Sequence, residues 1–67
     1  MSATEIHTHL QDLFVERALA ALEGLDRDAL YMADLQEEIT AANEAYIGAA
    51  VTEIALLRAE LSGRLVG

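Results

Sequence analysis

Cysteine, proline, tryptophan and lysine are all missing from this 67-residue chain. Without cysteine there are no disulfides and no thiolate zinc sites, and the redox compartment is left open. Without proline, only a glycine can stop a helix firmly. Without lysine, the cations are Arg17, Arg27, Arg58 and Arg64, set against 12 acids for a formal charge of −8. Binding to nucleic acid or to an anionic membrane needs clustered cations, so neither is expected as a direct partner. Serine stands only at positions 2 and 62, which leaves nucleophilic catalysis almost no material. No stretch reaches the roughly 18 apolar residues of a membrane span. Met1-Ser2-Ala3-Thr4-Glu5 lacks the basic and apolar regions of a signal peptide. A soluble cytoplasmic protein is expected.

What is present is helical. Ser2 and Glu5 match the S-x-x-E capping box. Ile6, Leu10, Leu13, Phe14, Ala20 and Ala21 follow on one helical face. Val15, Leu19 and Leu22 form a second stripe, roughly opposite the first. One partner needs only one stripe, so the second predicts contact with another chain. Glu23-Gly24-Leu25-Asp26 then breaks the chain, with Gly24 suited to the left-handed position after a helix. Asp26 is the expected N-cap of the second helix, with Leu25 and Leu30 as a hydrophobic staple around it. Asp28 is expected to complement the helix dipole in the first turn.

The second helix carries Met32, Leu35, Ile39, Tyr46, Ala50, Ile54, Leu57 and Leu61 on one face. Their period is about 3.6 residues, that of a straight helix. Gly48 costs about 1 kcal/mol of helix propensity and is expected to mark a close helix crossing. The final Gly63-Arg64-Leu65-Val66-Gly67 reads as a frayed end, with Leu65 and Val66 placed to dock in an oligomer.

These signals predict one domain, residues 1–67, in the all-α class. It is a hairpin of a short helix, about residues 3–23, and a long one, about residues 27–62. Aligned about Leu25, Thr4 falls near Tyr46, and the long arm overshoots by about 22 Å. A chain of this size rarely gains more than about 3–5 kcal/mol from its own core. The overhang is therefore expected to be buried by a second copy, in a homodimeric four-helix bundle or higher oligomer. The expected interface residues are Val15, Leu19, Leu22, Val51, Ile54, Leu57 and Leu61.

Charge is unevenly placed. Residues 23–44 hold seven acids against Arg27 alone, whereas residues 45–67 balance Glu53 and Glu60 with Arg58 and Arg64. The hairpin tip is thus acidic and the far end neutral. Asp34, Glu37, Glu38 and Glu44 are candidates for contact with a basic protein surface. An alternative function follows from them: an acidic inhibitor, or nucleic-acid mimic, of a DNA- or RNA-handling protein.

Neither metal nor cofactor is expected. His7 and His9, two residues apart, point about 200° apart on a helix. No Glu is followed three residues later by His, as helical di-iron sites require. Adjacent Glu37 and Glu38 diverge by about 100° and lack the dry cleft that paired-acid catalysis needs. Tyr46 is expected in the core stripe and Tyr31 against the first helix near the tip. No enzymatic activity is predicted.

Two segments, Asp28-Ala29-Leu30-Tyr31-Met32-Ala33-Asp34-Leu35 and Ala45-Tyr46-Ile47-Gly48-Ala49-Ala50-Val51-Thr52-Glu53-Ile54, resemble small acidic helical accessory proteins of actinobacteria and their phages. The resemblance implies a bacterial or phage accessory protein and carries no site residues. A non-catalytic, oligomerising interaction or structural protein is the leading expectation.

Overall fold

The computed structural model describes the backbone of residues 1–66 and the side chains of residues 1–63; the expected docking of Leu65 and Val66 lies outside those side chains. Helix α1 spans Ala3–Leu22, a single 3-10 turn spans Leu25–Arg27, and helix α2 spans Ala29–Val66. The two helices form an antiparallel hairpin measuring 60 × 16 × 12 Å.

The start of α1 follows from local chemistry. The Ser2 hydroxyl accepts from the Glu5 amide at 3.2 Å, and the Glu5 carboxylate accepts from the Ser2 amide at 3.4 Å. Two amides that a helix start leaves without partners are thereby satisfied. At the other end Glu23 N–H donates to the Leu19 carbonyl and Gly24 N–H to that of Ala21. Gly24 sits at φ +82, the only positive φ among the described residues. A side chain there would meet the following carbonyl, and glycine has none.

The entry into α2 differs from the expectation. Asp28, not Asp26, is the cap. Its backbone is extended, and its Oδ1 accepts from the Tyr31 amide at 3.1 Å. The cause is the 3-10 turn, in which Arg27 N–H reaches the Gly24 carbonyl and Asp28 N–H reaches that of Leu25. That turn holds Asp26 in helical geometry and moves the start of α2 back by two residues. The staple is lost with it, and Leu30 stands 74% exposed.

The end of α2 differs as well. The helix passes through Ser62 and Gly63 to Val66 and does not fray at Gly63. Gly63 lacks the left-handed turn that ends α1 at Gly24, and no proline follows it. Nor does another element cross closely over Gly48. The helix is unbroken there, and a Cβ on Gly48 would meet nothing within 4 Å.

The core is a narrow seam. Ile6, Leu10, Leu13 and Ala20 of α1 are buried, together with Leu35, Ile39 and Ala42 of α2. Phe14 and Tyr31 close its edges, and the Arg17 guanidinium lies 5.1 Å over the Phe14 ring. Ala42 takes a core position that the larger apolar residues did not mark. Of the two alanines that spacing placed on this face, Ala20 is buried and Ala21 is exposed. Beyond residue 42 burial fades, with Tyr46, Ala49 and Ala50 half-buried and Val51 to Gly63 exposed.

Candidate interaction surface

The seam sets where self-coverage ends. Ala3, Thr4, His7 and Tyr46 surround one recess, as alignment about Leu25 predicts for Thr4 and Tyr46. The His7 and Tyr46 rings lie 5.4 Å apart at 51°. Glu53 marks the limit. Its Oε1 accepts from the Ala3 amide at 3.2 Å, across 50 residues of chain. That amide is one of the donors a helix start leaves unpaired, so α2 caps α1 where α1 runs out. Sequence reasoning missed this contact, because the pairing depends on the three-dimensional register.

Apart from the Glu53 contact, the described side chains of α2 from Val51 to Gly63 are exposed, without cover from α1. Val51 is 61% exposed, Ile54 53%, Leu57 55% and Leu61 48%, and Leu56 and Ile47 are similarly open. From Val51 to Gly63 the bare helix runs about 18 Å. Val15, Leu19 and Leu22 of α1 are also exposed, so both predicted interface stripes lie on the surface of the hairpin. They are far apart. The α1 stripe is near the tip, beside an open recess of about 470 Å³ that Asp12, Glu16, Glu23 and Tyr31 also line.

The size of the exposure is informative. A compact monomer of 7.2 kDa exposes about 4,100 Å². This chain exposes 5158 Å². Its radius of gyration is 17.4 Å, where a compact domain of this length has about 11 Å. The excess surface, about 1,000 Å², compares with the roughly 800 Å² that each partner buries in an ordinary specific interface.

The acidic tip is solvated. Asp34, Glu37, Glu38 and Glu44 are all exposed. Among the described residues the one ion pair of the tip joins Glu38 to His9, at 3.9 Å and requiring a protonated imidazole. Tyr31 sits where the tip meets the core, and its hydroxyl donates to Glu16 Oε2 at 3.1 Å. That hydrogen bond holds the phenol proton and raises the Tyr31 pKa above the ordinary value. Partial burial and the charges of Glu16 and Glu23 push the same way.

Among the described residues, no three His, Asp or Glu side chains stand together as metal ligands. No helix there is long and apolar enough to cross a membrane. No protein family, curated protein or solved structure matches this chain.

Proposed function

We propose that this chain is a non-catalytic interaction protein that works as a homodimer or higher oligomer, joined through the apolar C-terminal half of α2. One observation carries the reading: Val51, Ile54, Leu57 and Leu61 are each about half exposed on a stretch of helix that its own partner helix does not cover. Burying the exposed half of four such side chains contributes about 3–6 kcal/mol. The seven-residue core of the hairpin supplies no more than that. Assembly is then part of folding, and stability rises with concentration. The Val15–Leu19–Leu22 stripe provides a second contact through which pairs join into larger oligomers, and the acidic tip keeps the assembly soluble.

Sedimentation at micromolar concentration tests this directly. A folded species of twice the chain mass or more is expected. A helical species of 7.2 kDa at all concentrations would sink the proposal.

A further inference from the structure

The exposed half of α2 carries more order than a greasy end requires. Ile47, Val51, Ile54, Arg58 and Leu61 follow one another at spacings of four, three, four and three residues. That is the a/d rhythm of a two-helix seam. The five lie along one side of α2, about 115° around the helix from Leu35, Ile39 and Ala42, at 100° per residue. They therefore avoid the side on which α1 lies and on which Glu53 caps Ala3. The four apolar members are each about half exposed, and Arg58 borders the same surface as Val51 and Ile54.

Resting on the proposed oligomer, we infer that this seam receives the same seam of a second copy, with the two α2 helices antiparallel and crossing near Ile54. Three observations favour this occupant and this direction. First, the seam is nearly symmetric about Ile54, which lies seven residues from both Ile47 and Leu61. A twofold axis needs one patch that is complementary to itself, and here Ile47 meets the partner's Leu61 and the partner's Ile47 meets Leu61.

Second, a parallel pair in register sets Arg58 against the partner's Arg58 inside the seam. The antiparallel pair lays the arginine stem along the partner's Val51, with its guanidinium in water. Third, the acidic tips decide in the same sense. Side by side, two copies would bring two net charges of −6, from residues 23–44, within a helix diameter of each other. Tail to tail, the tips stand about 75 Å apart, many times the screening length of about 8–10 Å. The pair has four helices in all, and at its waist only the two α2 helices cross.

The native chain has no cysteine, so single-cysteine variants report on direction without background. Ile47→Cys and Leu61→Cys are both at exposed positions of the single chain. Each is oxidised alone and then as an equimolar mixture, at a concentration where sedimentation shows the native oligomer. The expected result is little disulfide-linked dimer from either alone and a strong band from the mixture. Self-linking of each variant alone, equal to or above that of the mixture, overturns the antiparallel arrangement and leaves the oligomer standing. A monomer in sedimentation overturns both.

Discussion

Replacing Ile54 by Asp separates a lone hairpin from an assembled one. In the single chain Ile54 is 53% exposed, on the uncovered part of α2 and outside the core cluster. A surface change of this kind alters stability by no more than about 0.5 kcal/mol. The difference in helix propensity between Ile and Asp adds a few tenths of a kcal/mol. In the proposed assembly the same position is at the crossing point, where each copy would bring a carboxylate into a dry contact facing a like charge. Burying an unpaired charge costs at least about 3 kcal/mol per chain, more than a hundredfold in the dissociation constant. If assembly supports folding as proposed, helicity falls with it. The assay is far-UV circular dichroism under urea at two well-separated protein concentrations. The native chain should unfold later at the higher concentration, and Ile54→Asp should lose both that dependence and much of its helix. Leu30→Asp is the control. It is 74% exposed, two residues past the Asp28 cap, where a carboxylate suits the helix dipole, and it should unfold like the native chain. Coincident curves for Ile54→Asp and native protein at both concentrations would refute the reasoning.

Two further predictions concern the tip. Asp28→Ala should cost about 1 kcal/mol, because it removes the acceptor of the Tyr31 amide, while Asp26→Ala stays within about 0.5 kcal/mol; equal losses in urea melts would return the cap to Asp26. In a Tyr46→Phe background the remaining phenol, Tyr31, should titrate above the ordinary tyrosine value by ultraviolet absorbance, and Glu16→Gln should bring it down, since the carboxylate of Glu16 is the main cause of the shift. A raised folded-state value means that the neutral phenol stabilises the fold below about pH 10 and that this contribution is lost as pH rises through the folded value; an unchanged titration in Glu16→Gln would exclude the Glu16 bond as the cause.

Several of these features are legible in the sequence because they depend on neighbours a few residues apart. The Ser2–Glu5 box forms as written, since both partners lie within one turn. Gly24 ends α1 as written, since the left-handed backbone is a property of the residue itself. The Ile6, Leu10 and Leu13 stripe and the Leu35 and Ile39 stripe follow from the helical period alone. Counting outward from Gly24 then gives the overhang, because both helices have the same rise per residue. Val15, Leu19 and Leu22 are exposed, as a stripe opposite the core must be.

Where two local solutions differ by less than the packing energy, the tertiary structure made the choice. Asp26 and Asp28 are equally good caps in isolation, and the 3-10 turn that closes the hairpin selected Asp28. Ala20 and Ala21 have the same hydrophobicity, and the approach of α2 buried Ala20. Ala42 entered the core because its place on the face matters more than its size, whereas Gly48 found no crossing because α1 does not press on it. The bond from Ala3 to Glu53 joins residues 50 positions apart, and no local pattern encodes it. By itself, then, the sequence determined the elements, their lengths to within a turn and the faces they present, because helix energetics act over three or four residues. Only the tertiary structure decided which cap is used, which alanines are inside and where α1 stops shielding α2, because these follow from how two helices dock in space.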